Sequence, residues 1–136
     1  MSEEAARELV DAARAASRRA SAPYSRYAVG AALRTRSGEI VGGCNVENAS
    51  YGLSMCAERV AVFAAVARGL VSGAAPIEAL CVHAPSGTMP WPCGACRQVL
   101  HEFAPPALPV LVDGPGGLVR TTLGELLPHA FGGGKP

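Results

Sequence analysis

The sequence predicts an α/β layered domain: a mixed sheet of about five strands with helices on its faces. Three observations carry that expectation. Two pairs of short apolar runs, 29–34 with 39–44 and 109–112 with 118–121, are separated by tight turn sequences, "RSG" and "DGPGG". Connections so short permit only antiparallel hairpins. A lone apolar run at 76–84, centred on "LCV", lies between them and is flanked by helical patterns, which implies crossover connections.

The elements follow in order. From Glu3 to Arg19, apolar residues at Ala5, Ala6, Leu9, Val10, Ala13 and Ala16 recur at helical spacing, with acids at the start and arginines at the end as the helix dipole favours. "ASAPYS" breaks this pattern, because Pro23 and its neighbours favour extended or turn backbone. After the first hairpin comes a loop, "NVENASYGLS", and a second helix predicted over 56–68, with Gly69 in the position that commonly ends helices. After the lone strand, "PSGTMPWP" is a loop rich in turn formers. A third helix is predicted from about Cys93 to Phe103, stopping before Pro105 and Pro106; "TLGELLP" reads as a short closing helix. No internal repeat is visible. The chain reads as one domain over 1–136, with a flexible tail at about 132–136, "GGGKP".

Composition narrows the function classes. At 136 residues and 49% hydrophobic content the chain can bury a real core. A formal net charge of +1, with 17% charged residues, gives no general reason to expect nucleic acid or an anionic membrane as partner. The implied ligand is small and roughly neutral. No apolar run approaches the ~20 residues of a membrane span, and "MSEEAARE" lacks the basic and apolar regions of a secretion signal, so the chain reads as cytoplasmic. Five cysteines in a reducing compartment point to metal or chemistry rather than disulfides.

Three of those cysteines stand at helix starts. The N-termini of the helices after the second and third strands can converge beyond the sheet, where such folds place ligands. Unpaired N–H groups and the dipole there favour thiolates at Cys56, Cys93 and Cys96. Cys93 and Cys96 share a helix face, and three thiolates with one open position is the pattern of catalytic rather than structural zinc. Cys44 and Cys81 sit in apolar strands and read as inert buried thiols; His83, His101 and His129 read as ordinary core or surface residues. Glu58, two residues past Cys56, need not ligate the metal and is placed to face the open position, where a carboxylate can take a proton from zinc-bound water and hand it on. Alone it would read as an ordinary first-turn glutamate. Arg59 reads either as a solvated helix arginine or as a donor to the thiolates, restoring acidity to a metal that carries three of them.

These residues resemble a known family. "CAE" at Cys56 to Glu58 with "PCGAC" at Pro92 to Cys96 is similar to the zinc-dependent cytidine deaminases, in the three-cysteine variant of the zinc-deaminase signature. "PYSRYAVGAAL" resembles the family's first-strand motif, "GCNVENASYG" its nucleoside-binding loop and "ELLPHAF" its closing segment. Several separate blocks in the same order are far more specific than one C-x-x-C. The resemblance implies a cytidine-deaminase-like α/β/α fold and one Zn²⁺ per chain on Cys56, Cys93 and Cys96, with Glu58 as proton shuttle. It further implies that Asn45 and Glu47 hydrogen-bond the ribose 3′-hydroxyl, that the Ala57 backbone N–H meets the base carbonyl, and that Tyr27 packs against the base. Tyr27 falls where the family generally has Phe. Trp91, where smaller residues are common, is expected to fill a subunit contact rather than wall the pocket. Phe131 matches a phenylalanine that enters a neighbouring subunit's site, so a homotetramer with shared active sites is implied.

The activity implied is hydrolytic deamination of cytidine and deoxycytidine to uridine and deoxyuridine, with loss of ammonia, in pyrimidine salvage. The competing readings are a deaminase of a cytosine-bearing antibiotic such as blasticidin or of modified cytidines, a nucleic-acid editing deaminase, and a structural zinc module. The paired "NVEN" residues and "LLPHAF" argue against the antibiotic enzyme. Scattered arginines and 5% aromatics argue against a strand-binding groove.

Overall fold

A computed structural model of the protein describes residues 1–132; most of the tail expected at 132–136 lies outside the described residues. The elements run α1 (Glu3–Ser17), β1 (Gly30–Arg34), β2 (Ile40–Cys44), a single 3₁₀ turn (Tyr51–Leu53), α2 (Ala57–Ala67), β3 (Ala79–His83), α3 (Gly94–Phe103), β4 (Pro109–Gly114), β5 (Gly117–Thr122) and α4 (Leu123–Leu126).

The helix ends obey local chemistry. Ser2 caps α1 by accepting from the Ala5 N–H, and Glu3 and Glu4 sit in its first turn. α2 ends with Gly69 at φ +73°; the Gly69 and Leu70 N–H groups donate back to the Val66 and Ala65 carbonyls, a closure that needs the left-handed backbone glycine tolerates. The lone strand starts later than 76–84 predicts, at Ala79. Pro76 has no N–H to give a ladder, and Ile77 donates to the Phe103 carbonyl at the end of α3.

The five strands form one sheet in the order β2-β1-β3-β4-β5. β1 pairs antiparallel with both β2 and β3, β3 pairs parallel with β4, and β4 pairs antiparallel with β5. It follows that β2, β3 and β4 run in one direction. The register aligns Cys44, Gly30, His83 and Asp113 in one row across the sheet, so three strand C-termini leave the sheet at the same edge. α2 and α3 both start beyond that edge.

Strand alternation divides the core in two. Ala31, Leu33, Leu80, Val82, Val110 and Val112 face one side and pack with residues of α2 and α3, including Ala61, Val62, Ala65 and Leu100. Ala32, Ala79, Cys81 and Leu111 face the other, against Ala6, Leu9, Val10 and Ala13 of α1. These are the three layers expected from the sequence. At that same edge the buried Asp113 receives the Arg14 guanidinium at 2.8 Å and pairs with His83 Nδ1 at 2.8 Å, tying α1 to β3 and β4. Burial alone would push this carboxyl up, but the Arg14 hydrogen bond and charge, followed by His83, hold it below the ordinary carboxylate range.

Two glycines set how closely the helices approach. A Cβ at Gly30 would stand 2.0 Å from the Ala13 carbonyl oxygen, and one at Gly43 would stand 2.5 Å from the Ala61 nitrogen. Both contacts are with backbone, so neither neighbour can swing away. Gly30→Ala is therefore expected to lower unfolding stability by about 3 kcal/mol, whereas Gly73→Ala, where the added Cβ meets nothing within 4 Å, is expected to stay within about 0.5 kcal/mol. Urea titration of the two variants checks this, and equal stabilities would contradict the close approach of α1 to β1.

Candidate active site

The starts of α2 and α3 meet. Cys56 is the N-cap of α2 and Cys93 the N-cap of α3, and Cys96 lies in the first turn of α3. Their sulfurs all lie within 4.8 Å of one another, with Cys56 Sγ and Cys93 Sγ 3.8 Å apart. Two sulfurs each about 2.3 Å from a tetrahedral zinc are separated by about 3.8 Å, so the spacing fits that ion. Among the described residues the group holds no fourth donor. Cys81, on the α1 face, is excluded by strand alternation; it is fully buried, and burial pushes its thiol up to about 12. Cys44 is half-buried at the end of the edge strand rather than fully enclosed. His83 pairs with Asp113 and takes no part.

The electrostatics of the cluster also fit a cation. Cys56 is lowered to about 5, chiefly by its hydrogen bond with Cys96 and then by Arg59 and Cys93. Cys96 is pushed up instead, first by that same partnership with Cys56 and then by burial. Sulfurs this close repel as anions, so one gains charge at the other's expense until a metal compensates them. Arg59 donates from Nη2 to Cys56 Sγ at 3.4 Å, the second of the two roles read for it from the sequence. Cys93 Sγ accepts the Cys96 N–H at 3.4 Å, so the helix start orients the sulfur.

A cleft of about 260 Å³ opens beside the cluster. Cys56, Cys93, Ala57, Glu58, Asn45, Tyr27 and Trp91 all line it, with Val29, Val82, Thr88, Met89 and Pro90. Glu58 is only 4% exposed, and burial, aided by the Cys56 charge, raises its carboxyl to about 7. Ala57 is the first residue of α2, so its N–H has no acceptor within the helix. Asn45 is partly engaged already: its Oδ1 accepts the Val29 N–H at 2.9 Å and its Nδ2 donates to the Tyr27 carbonyl at 2.7 Å.

Glu47 and Phe131 are not brought into this cleft. Glu47 lines a neighbouring depression of about 300 Å³ with Tyr24, Ser25, Tyr51 and Ser54. Its Oε1 accepts the Tyr24 and Ser25 N–H groups, both at 3.0 Å, and its Oε2 accepts the Ser25 hydroxyl, which together hold its acid form well below the usual range. Phe131 is 86% exposed. Its backbone is held at both ends by Gln98, whose Nε2 donates to the Phe131 carbonyl at 3.0 Å and whose Oε1 accepts the Phe131 N–H at 3.3 Å.

Sequence reasoning missed Gln98 and Arg97. Arg97 donates to the Pro92 carbonyl and to the Leu126 carbonyl, each at 2.7 Å, joining the approach to Cys93 to α4. No local pattern marks a polar helix residue for such a task. It also missed Thr88, Met89 and Pro90 as cleft walls, although a turn-rich loop leaving a strand C-terminus toward a C-x-x-C helix was a usable signal. Trp91 lines the cleft, the pocket-wall role weighed for it beside a subunit contact, in a segment where its N–H donates to the Met89 carbonyl at 2.9 Å.

Comparison with known proteins agrees with this geometry. Residues 3–112 match the family model described as "Cytidine and deoxycytidylate deaminase zinc-binding region". The chain is 44% identical over 124 residues to the cytidine deaminase of Sporosarcina psychrophila, covering 90% of this chain and 88% of that one. The crystal structure of cytidine deaminase from Burkholderia pseudomallei superposes with a TM-score of 0.85 at 46% identity, covering 96% of this chain and all of that one. The blasticidin-S deaminase of Bacillus cereus is more distant, 33% identical over 113 residues, 79% of each chain. This chain belongs to the cytidine and deoxycytidylate deaminase family, whose members are zinc-dependent hydrolytic deaminases.

Cys56→Ala, Cys93→Ala and Cys96→Ala are each expected to reduce bound zinc from about one per chain to a small fraction, while Cys81→Ala keeps it. Metal analysis of the purified variants decides this, and zinc loss from Cys81→Ala would refute the ligand set.

Proposed function

We propose that the chain hydrolyses cytidine and deoxycytidine to uridine and deoxyuridine with release of ammonia, as one domain, in pyrimidine salvage. The observation that carries this reading is a buried carboxylate, Glu58, lining the same cleft as a three-sulfur metal group that contains no fourth donor among the described residues. A structural zinc module would complete its donor set and would gain nothing from burying Glu58 there. The cytidine deaminase of Sporosarcina psychrophila is also more similar to this chain than the blasticidin-S deaminase of Bacillus cereus is.

Held by Cys56, Cys93 and Cys96, zinc would supply an acidified water as nucleophile. Glu58 is placed to accept the nucleophile's proton on its carboxylate and to deliver it to the ring nitrogen beside the amino-bearing carbon as the new C–O bond forms at that carbon. The resulting tetrahedral carbon carries both hydroxyl and amino groups. Glu58 then moves the hydroxyl proton to the amino nitrogen, the C–N bond breaks, ammonia leaves and the carbonyl forms. Throughout, the Ala57 N–H holds the base carbonyl and the Tyr27 ring packs against the base. Asn45, with the second N–H of its amide, and Glu47, with a remaining lone pair, receive the sugar 3′-hydroxyl.

The protein acts in the cytoplasm as a homotetramer with shared active sites. Two features support this assembly. Phe131 is an exposed ring whose backbone is clamped in place and which does not line the cleft of its own chain. Phe63, Val66, Tyr51 and Leu53 add exposed apolar surface.

Glu58→Gln keeps size and polarity but removes the proton acceptor, so turnover of cytidine should fall by a factor on the order of 100 to 10,000 with zinc unchanged. Parallel assays on cytidine and blasticidin S separate the two substrate classes; preferential turnover of the antibiotic, or near-normal activity of the variant, would overturn the reading. In a second test, Phe131→Ala chains are mixed with Glu58→Gln chains. Recovery of activity in confirmed mixed tetramers is expected, because an intact Glu58 site can take Phe131 from its neighbour. No recovery would rule out the shared site.

A further inference from the structure

The phenol of Tyr27 has a partner in the cleft lining. Its hydroxyl donates to the Thr88 carbonyl at 2.7 Å, joining the segment before β1 to the loop between β3 and α3. The backbone next to Thr88 lies against the ring itself: a Cβ at Gly87 would stand 3.1 Å from two carbons of the Tyr27 ring, and Gly87 has φ +83°. Only glycine adopts that backbone so readily while leaving the ring its place.

The same loop is supported from behind. A Cβ at Gly114 would stand 2.8 Å from Met89 Sδ and 2.9 Å from Pro90 Cδ, and one at Gly116 would stand 3.2 Å from Met89 Sδ. The wall formed by Thr88, Met89, Pro90 and Trp91 is therefore held between the β4–β5 turn and Tyr27.

Tyr27 is itself anchored. Its N–H donates to Ser25 Oγ at 3.0 Å, its carbonyl accepts from Asn45 Nδ2 at 2.7 Å, and the Ser25 hydroxyl donates to Glu47. Arg26, between them, takes a left-handed backbone at φ +58°, a conformation a non-glycine residue adopts where its surroundings impose it.

From these contacts we infer that the Tyr27 hydroxyl is a latch that fixes the width of the cleft and so determines which cytosine rings it admits. The group acts through the loop, as a positioning residue. With its proton engaged by Thr88, the hydroxyl is not a hydrogen-bond donor to the substrate. Phenylalanine would supply the same ring surface but leave the Thr88 carbonyl without this donor and the wall without its tie. The selectivity consequence rests on the deaminase reading; the mechanical one does not.

Tyr27→Phe removes one oxygen and adds no bulk, so the chain should fold and bind zinc as before. Hydrogen exchange at the Met89 and Trp91 amides is expected to quicken by about fivefold, the equivalent of one hydrogen bond of ordinary net strength. KM for cytidine is expected to rise by a similar factor with a smaller effect on kcat, and the kcat/KM ratio of 5-methylcytidine to cytidine is expected to increase as the wall yields. Unchanged exchange at Met89 and Trp91 would overturn the latch whatever the kinetics. Faster exchange in a protein whose parent deaminates no nucleoside would uphold the latch and remove the function; faster exchange with an unaltered substrate ratio would refute its role in selectivity.

Discussion

Three sulfurs brought within 4.8 Å of one another are the constraint on which the rest of the structure depends. The partnership between the sulfurs lowers Cys56 and raises Cys96, concentrating negative charge on Cys56. Local features act on that charge: N-cap placement for Cys56 and Cys93, the Cys96 N–H on Cys93 Sγ, and the Arg59 guanidinium on Cys56 Sγ. None of these supplies the two positive charges of a zinc ion. The metal is thus the natural completion of the fold at this edge, and its binding energy adds to the stability of the folded state.

Positioning the sulfurs is a task for the sheet. β2 and β3 run in the same direction with β1 between them, so the helices that follow them start at a common edge and pack on a common face. Gly30 brings α1 against one face and Gly43 brings α2 against the other, both through contacts with backbone. The loop after β2 is stitched in place by Val46, which bridges to Ser21 on one side and Met55 on the other, immediately before Cys56. The same strands that build the core thereby fix Asn45, Ala57 and Glu58 along one cleft.

Much of this was legible in the residues. The apolar strand around Cys81 already marked it as a buried thiol apart from the helix-start cysteines, and helix punctuation placed Cys56 and Cys93 at helix starts. Tight turns fixed both hairpins, because few geometries join strands so closely spaced. The features that escaped notice involve contacts between residues distant in sequence. Tyr27 reaches Thr88, Gln98 holds Phe131 and Arg97 reaches Leu126, and no propensity or spacing encodes such pairs. Glu47 illustrates the same limit: its type suited a sugar hydroxyl, but its partners in the 24–25 segment became visible only with the chain folded.

The central claim is a metal held by three sulfurs with one coordination position left for water. X-ray absorption at the zinc edge of the loaded protein measures that shell directly. Three sulfurs at about 2.3 Å and one oxygen at about 2.0 Å are predicted, with the oxygen retained in Glu58→Gln. A shell of four protein donors would contradict the account, because zinc would then have no position at which to activate water.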